Sequence, residues 1–124
     1  MFREFIVTAN EEDINEYKKL LPDQVKIVIG GNTRSQSVYN ALKEVTEEEV
    51  LIHDGARPFL TTDLIKRVID CAEKYGSAIP VLPSCDTVVK VNEDCVCEYL
   101  GKSNICKVQT PQGFNAKQLK AAYE

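Results

Sequence analysis

Short apolar runs alternate with stretches of helical spacing through the first two thirds of the chain. The apolar runs predict strands over residues 4–9, 25–29, 50–53 and 77–82. Between them, apolar residues recur every three or four positions, which predicts helices after Asn10, after the break at Gly30-Gly31-Asn32 and after a cap at Thr61 or Thr62. Gly76 is expected to end the third helix. Strands that alternate with helices form βαβ units. We therefore expect an α/β fold with a mostly parallel sheet and helices on both faces.

The pattern changes near residue 84. Residues 86–91 and 95–100 predict the two strands of a β-hairpin, with the turn at residues 92–94. Because an isolated hairpin is marginal in water, its apolar residues indicate that it packs on the parent domain or on a partner. A strand over 105–109 and a helix beginning near Asn115 complete the predicted elements.

Composition and charge narrow the class of protein. The 124 residues are 44% hydrophobic and 27% charged, which fits one soluble domain over residues 1–124. No apolar run approaches the ~20 residues of a membrane span, and the N-terminus does not resemble a signal peptide. With 15 basic and 19 acidic residues the net charge is −4, which argues against a nucleic-acid-binding protein. A small anionic ligand remains compatible with this charge.

The cysteines indicate a reducing compartment. There are five, an odd number without a C-x-x-C pair, and we interpret them as reduced thiols of a cytoplasmic protein. His53 is the only histidine, so we do not expect a structural zinc site.

A first polar loop, Gly30–Ser37, follows a predicted strand, and ligands of open α/β sheets bind at the carboxyl ends of strands. Its two glycines allow a ligand to approach the backbone, and the helix start offers N–H groups to an anion. Asn32 can read a base edge, while Arg34 and Ser37 add a charge and a hydroxyl. The alternative is a tight turn with a serine cap, which the local pattern alone favours.

A second polar loop runs from His53 to Pro58. Asp54 could hold Mg²⁺ and Arg57 could bind a phosphate, with Gly55 leaving room for the ligand. The alternative is an Asp-Gly turn in which Asp54 and Arg57 pair with each other, and the local pattern does not separate the two. We interpret His53 as a core or supporting histidine rather than a catalytic base.

A third set of polar residues surrounds the predicted hairpin: Asp86-Thr87, Lys102 and Gln109-Thr110-Pro111-Gln112. Hydroxyls, a lysine and amides of this kind could bind a phosphate or a sugar. Taken alone, they are more typical of turns.

In this order, the motifs resemble those of the 2-C-methyl-D-erythritol 4-phosphate cytidylyltransferases of non-mevalonate isoprenoid synthesis. The matching pieces are Gly30-Gly31-x-x-Arg34-x-x-Ser37-Val38, Val50–Pro58, Asp86-Thr87 and Gln109-Thr110-Pro111-Gln112-x-Phe114. The resemblance runs from about Phe5 to the C-terminus. It implies a Rossmann-like nucleotidyltransferase sheet with a projecting hairpin arm over residues 84–108.

The resemblance implies the substrates and the reaction. CMP would pass from CTP to a sugar-alcohol phosphate with release of pyrophosphate and with Mg²⁺ as the cofactor. Such transfer depends on positioning and charge neutralisation more than on a covalent nucleophile. The ribitol-5-phosphate cytidylyltransferases carry very similar signatures and form one alternative. A non-catalytic fragment for nucleotide binding or assembly forms another.

The resemblance also implies roles for individual residues. The cytidine nucleotide would be bound by Gly31, Asn32, Arg34, Ser37 and Gly55. Asp54 would hold the metal, and the catalytic residues would be Asp54, Arg57 and Lys102. The acceptor phosphate would be met by Thr87, Lys102 and Thr110, from the hairpin arm of a second copy in a homodimer.

The chain also departs from the family pattern. At position 102 the chain has Lys102, where the family usually has arginine. Several relatives have an acidic residue in place of Asn32, and the family usually has alanine in place of Gly55. The family's first strand and glycine-rich loop, with an arginine and a lysine for the triphosphate, have no match before Phe5. Its later acid- and lysine-bearing segment has no match up to Glu124. We therefore expect a domain incomplete at both ends, with negligible CTP transfer by this chain alone.

Overall fold

The computed structural model describes residues 2–124 and divides the chain into two compact units. One unit contains the residues up to Ile52 together with Phe114–Glu124, and the other contains His53–Gly113. The single-domain organisation stays a prediction. Among residues 2–124, no helix is both long enough and apolar enough to cross a membrane.

The first unit begins with a parallel βαβ arrangement. Strand β1 (Phe5–Ala9) pairs with β2 (Val25–Ile29), in register from Phe5 opposite Val25 to Ala9 opposite Ile29. The crossover is a 3-10 turn (Glu11–Asp13) that continues into helix α1 (Ile14–Leu20). This agrees with the prediction, except that the Asn10 side chain donates to Asp13 (3.1 Å) instead of capping the helix.

Helix α2 (Arg34–Glu44) carries Leu42, a core side chain of this unit that is 2% exposed. Strand β3 (Glu49–Ile52) follows α2, and the C-terminal helix α4 (Ala116–Tyr123) packs against α2. The rings of Tyr39 and Tyr123 stack there with their centroids 5.5 Å apart. Lys120 donates from Nζ to the carbonyl of Val45 at 2.7 Å, which adds a polar link between the two helical segments.

Glu4 joins the start of β1 to the turn after α2. Its carboxylate accepts hydrogen bonds from the hydroxyl (2.7 Å) and the backbone N–H (3.0 Å) of Thr46, and Lys26 Nζ lies 3.5 Å away. The two Thr46 hydrogen bonds, assisted by Lys26, lower the pKa of Glu4 to about 2.

The second unit contains helix α3 (Thr62–Tyr75), which Thr61 caps and Gly76 ends in the left-handed conformation at φ 83°. Both ends were predicted. The predicted strand over 77–82 is instead two short strands, β4 (Ser77–Ala78) and β5 (Val81–Pro83). Pro80 lies at the break, where a missing N–H interrupts strand pairing.

The hairpin arm in the second unit is formed by β6 (Val88–Asn92) and β7 (Cys95–Leu100), which pair antiparallel. Its turn is shorter than predicted, because Asn92 pairs with Cys95 and only Glu93 and Asp94 lie between, at φ 47° and 63°. A register shift between Lys90 and Val91 marks a bulge. Four large hydrophobic side chains on β6 and β7 are exposed: Val89, Val91, Val96 and Tyr99.

Strand β8 (Cys106–Val108) pairs antiparallel with β5, and covers less than the predicted 105–109. Strand β9 (Gln112–Asn115) was not predicted, and it runs across the division between the units. Asn115 caps α4 by accepting from the N–H of Gln118 at 3.0 Å, as expected for a helix beginning near that residue.

Candidate functional site

The glycine-rich loop of the first unit begins where β2 ends. Gly30 donates its N–H to the carbonyl of Ala9, the last residue of β1, at 2.9 Å. Asn40 of α2 donates to the carbonyl of Ile29 at 3.2 Å. The loop is therefore tied to both parallel strands at their carboxyl ends, where the sequence predicts a ligand-binding edge.

Side chains of α2 accept hydrogen bonds from the loop amides. The N–H of Gly31 donates to Ser37 Oγ (2.9 Å), and that of Asn32 donates to Gln36 Oε1 (3.0 Å). The cap of α2 is Thr33, which accepts from the N–H of Gln36 at 3.1 Å. The expected serine cap was therefore wrong in its residue. Ser37 and Gln36 thus engage the loop amides of Gly31 and Asn32, and Thr33 engages the N–H of Gln36 at the helix start. Anion binding by the helix start stays a prediction.

Gly31 has a steric requirement as well as a hydrogen bond. A Cβ at this position would overlap the side chain of Gln36, and one at Gly30 would lie 3.1 Å from Ser37 Oγ. Glycine is thus needed for the close packing of the loop on α2. The structure brings Gly31, Asn32 and Ser37 into one hydrogen-bonded turn, and Arg34 opens the helix that follows.

A cleft of about 140 Å³ lies beside this loop and shares Gly30 and Ser37 with it. Its lining is completed by Thr8, Ala9, Asn10, Asp13 and Tyr17. The lining is mostly polar, which suits a hydrogen-bonding ligand better than an apolar one.

The Asp-Gly loop of the second unit is a closed turn. The N–H of Arg57 donates to the carbonyl of Asp54 at 3.0 Å, and Arg57 Nε lies 3.4 Å from Asp54 Oδ2. The internal Asp54–Arg57 pairing, one of the two expected alternatives, is therefore present. Gly55 lies at the tip, and a Cβ there would meet nothing within 4 Å.

The same loop is joined to Gln109 and Thr110. Thr110 Oγ1 accepts from the N–H of Asp54 at 3.3 Å and lies 3.0 Å from Nδ1 of His53. Arg57 Nη1 donates to Gln109 Oε1 at 2.6 Å. Two motifs more than 50 residues apart in sequence thus form one hydrogen-bonded group. Thr110 is 7% exposed, so its hydroxyl lies inside this group.

Thr87 and Lys102 lie at the base of the hairpin arm. Thr87 directly precedes Val88 and Lys102 closely follows Leu100, and Val88 pairs with Leu100. Both side chains belong to exposed residues. The backbone before Thr87 is held by buried Ser84, whose hydroxyl donates to the carbonyl of Asp86 at 3.2 Å, and Lys107 Nζ lies 3.2 Å from Asp86 Oδ2.

Asp54 is the residue that the sequence predicts as a metal ligand. Within residues 2–124, no group of three or more His, Cys, Asp or Glu side chains is placed to hold a metal ion. Mg²⁺ commonly binds through one or two carboxylates together with substrate phosphates and water. A single carboxylate at a strand end fits that mode and does not fit an all-protein metal cage.

Two residues of these clusters have no role predicted from the sequence, Gln36 and Ser84, and the contact of a third, Gln109, with Arg57 is not predicted either. Gln36 follows Asn32 at the i, i+4 spacing of a helical turn, which is a usable signal. Gln109 was part of a recognised motif, but its contact with Arg57 is long-range and leaves no local pattern. Ser84 resembles any loop serine until its burial is known.

The family model described as 2-C-methyl-D-erythritol 4-phosphate cytidylyltransferase matches residues 2–124. The chain belongs to this family. The enzyme of that name from Bacillus thuringiensis (strain Al Hakam) is 41% identical over 127 aligned positions, which cover 98% of this chain. That of Bacillus pumilus (strain SAFR-032) is 38% identical, also over 98% of the chain.

Solved structures agree in fold. The 2-C-methyl-D-erythritol 4-phosphate cytidylyltransferase of Thermus thermophilus matches with a TM-score of 0.81 at 32% identity, covering 97% of this chain and 57% of that one. The 4-diphosphocytidyl-2C-methyl-D-erythritol synthase of Anaerococcus prevotii matches with a TM-score of 0.85 at 30% identity, covering 97% and 56%. These likenesses confirm the predicted nucleotidyltransferase α/β fold class.

The chain spans about half the length of the relatives that it matches. The share is 56% for both the Bacillus thuringiensis and the Bacillus pumilus enzymes.

Proposed function

We propose that this chain is part of a cytidylyltransferase that transfers CMP from CTP to 2-C-methyl-D-erythritol 4-phosphate and releases pyrophosphate. The observation that carries the proposal is the hydrogen-bonded group of Asp54, Arg57, Gln109 and Thr110 in a chain of this family. Family motifs far apart in sequence meet there. The relatives that the chain matches are 2-C-methyl-D-erythritol 4-phosphate cytidylyltransferases, which favours methylerythritol phosphate over ribitol phosphate as the acceptor.

For the nucleotide, we propose Gly31, Asn32, Arg34 and Ser37 as the residues that bind cytidine. The turn is held by the bonds from Gly31 to Ser37 and from Asn32 to Gln36, so the Asn32 side chain extends from a fixed backbone. A fixed amide side chain can both donate to and accept from a base edge. Gly55, whose position leaves open space, is proposed to lie against the nucleotide.

For catalysis, we propose Asp54, Arg57 and Lys102. Asp54 would hold Mg²⁺ together with phosphate oxygens of CTP, and the bound ion would neutralise charge on those phosphates. Arg57 is held between Asp54 and Gln109, which fixes the direction of its guanidinium group. A positioned guanidinium can stabilise charge that develops on a phosphoryl oxygen. Lys102 supplies a mobile point charge instead.

For the acceptor, we propose Thr87, Lys102 and Thr110, with the arm residues supplied by a second copy in a homodimer. Thr87 and Lys102 lie together at the base of the arm, as the pairing of Val88 with Leu100 requires. The exposed apolar side chains of the arm support an interface there.

The five cysteines are all exposed and free, which supports a cytoplasmic setting.

The test is an acceptor comparison with the complete gene product. Pyrophosphate release from CTP and Mg²⁺ is measured with 2-C-methyl-D-erythritol 4-phosphate and, in parallel, with ribitol 5-phosphate. We expect kcat/KM to be at least a hundredfold higher for the first acceptor. A preference for ribitol 5-phosphate would assign the alternative function, and turnover of neither would refute the proposal.

Calorimetry on the 124-residue chain separates binding from turnover. We expect CTP with Mg²⁺ to bind while pyrophosphate release by this chain alone stays negligible. Normal turnover would contradict the expectation of inactivity. Absence of CTP binding would contradict the roles of the Gly30–Ser37 loop.

A further inference from the structure

His53 uses both of its ring nitrogens within the second unit. Nε2 lies 2.9 Å from the carbonyl oxygen of Arg57, and Nδ1 lies 3.0 Å from the hydroxyl oxygen of Thr110. A carbonyl oxygen can only accept a hydrogen bond, so Nε2 must carry the proton that it donates. In the neutral ring, Nδ1 is then the acceptor, and the hydroxyl of Thr110 must be the donor.

The hydrogen-bonding capacity of Thr110 is almost used up by this arrangement. A threonine hydroxyl has one hydrogen and two lone pairs. The hydrogen goes to His53 Nδ1, and one lone pair accepts from the N–H of Asp54 at 3.3 Å. One lone pair is left. Because Thr110 is buried, water offers its hydroxyl little replacement for the bond donated to His53.

We propose that His53 is a positioning residue that acts through Arg57 and Thr110 and touches no substrate. Its Nε2–H holds the carbonyl of Arg57, so the turn that carries Asp54 and Arg57 is closed from inside. Its Nδ1 fixes the rotamer and hydrogen direction of Thr110, which in turn holds the backbone of Asp54. One ring thus orients both proposed catalytic side chains of the loop, and this role rests on the proposed function.

The inference refines the part played by Thr110. A hydroxyl whose hydrogen is committed to His53 can take part in a further contact only as an acceptor. An ionised phosphate oxygen is itself only an acceptor. Thr110 therefore suits a hydroxyl of the acceptor molecule, and the acceptor phosphate is met by Thr87 and Lys102.

The tautomer can be tested without any activity assay. His53 is the only histidine, so the ¹⁵N spectrum of the 124-residue chain contains a single imidazole. In the neutral ring, we expect Nε2 protonated and Nδ1 unprotonated. The opposite tautomer, or rapid averaging of the two, would overturn the proposal.

Hydrogen exchange tests the link from His53 to Asp54. In His53→Gln, the new amide can still donate to the Arg57 carbonyl but offers nothing at the Nδ1 position. We expect the Asp54 amide to exchange at least tenfold faster in His53→Gln and in Thr110→Val. Thr110→Ser keeps the hydroxyl and should leave the rate within twofold of wild type. Unchanged exchange in both His53→Gln and Thr110→Val would refute the coupling.

Kinetics of the complete gene product test the functional consequence. His53→Gln removes the Thr110 bond, and His53→Asn, whose oxygen can occupy the Nδ1 position, removes the Arg57 bond. We expect each variant to lower kcat by roughly tenfold with little change in the KM for CTP. We also expect the effects of His53→Gln and Thr110→Val to be non-additive, because both remove the same bond. Additive losses, or a loss confined to KM, would contradict the positioning role.

The two sets of measurements separate the inference from the proposed function. If the complete gene product turns over neither acceptor, the proposed function fails, while the tautomer and exchange results still decide whether His53 holds the turn. If turnover is normal but the imidazole has the other tautomer, the inference alone fails.

Discussion

Arg57 Nη1 donates a 2.6 Å hydrogen bond to Oε1 of Gln109, although the two residues are 52 positions apart. The amide orientation of Gln109 is set by its other end, where Nε2 donates to the carbonyl of Val108 at 3.0 Å. The oxygen is therefore directed at the guanidinium group. Because Arg57 also contacts Asp54, its side chain is held from two sides.

This relationship predicts a measurable role for Gln109. A hydrogen bond to a charged group contributes about 1.5–3 kcal/mol, and every 1.4 kcal/mol is about tenfold in rate or affinity. We expect Gln109→Leu to lower kcat/KM of the complete gene product by roughly ten- to a hundredfold. Gln118→Leu, on the exposed side of α4, is the matched control and should have little effect. Normal kcat/KM in Gln109→Leu alongside a loss in Arg57→Lys would show that Arg57 works without Gln109.

A second prediction concerns the packing of the glycine-rich loop on α2. Gly31→Ala should destabilise the chain by about 1–3 kcal/mol, the usual cost of overpacking, because the new Cβ would overlap Gln36. It should also weaken CTP binding by at least tenfold. Gly101→Ala is the control, since a Cβ there meets nothing within 4 Å. Urea unfolding and calorimetry measure the two effects, and equal stabilities for the two variants would contradict the packing argument.

A third prediction concerns the hairpin arm as a dimer interface. Val91 and Val96 are cross-strand partners and Val96 is 65% exposed. We expect Val96→Lys to raise the dimer dissociation constant at least tenfold, because a charge would have to be buried in the interface. Gln24→Lys adds the same charge in the first unit as a control. Light scattering under reducing conditions gives the mass, and a monomeric wild type at high concentration would refute the interface.

A fourth prediction concerns pH. The folded-state pKa of Glu4 is lowered from 4.5 to about 2, so its carboxylate stabilises the fold above the unfolded-state pKa. That contribution is lost as the pH falls through the interval between these two values. We expect wild type to melt at a higher temperature than Glu4→Gln above about pH 5, with the difference closing toward pH 2.

The control for this pH effect is Glu47→Gln. The Glu47 carboxylate lies 3.7 Å from the exposed Arg3 guanidinium, a pair of the surface kind that contributes little to stability. A pH-independent difference between wild type and Glu4→Gln would contradict the Glu4 linkage to Thr46 and Lys26.

Much of the fold could be predicted because its signals are local. Strand β2 and the caps at Thr61, Gly76 and Asn115 agree with the sequence, since each depends on a few neighbouring residues. The errors fall where local signals compete. Pro80 divides an apolar run that predicts a single strand, and β9 has little apolar alternation to reveal it.

The sequence predicts which residues belong to the candidate site, but it does not predict the hydrogen bonds that join them. The sequence identified Asp54, Arg57 and Thr110, and it correctly offered an internal Asp54–Arg57 pair as one outcome. It could not show that Gln109 holds the Arg57 side chain through a hydrogen bond, because a contact across 52 residues leaves no periodic pattern. Nor could it show which donors of the Gly30–Ser37 loop are already engaged by α2.

The two-residue turn of the hairpin arm has a consequence for how the arm becomes ordered. Glu93 and Asp94 both adopt left-handed backbone angles, where an Asn-Gly pair would be favoured. The turn thus gives up local stability that a different dipeptide would provide. Contacts made by the faces of β6 and β7 must supply the remaining free energy of ordering, so the arm depends more on its surroundings than on its own sequence.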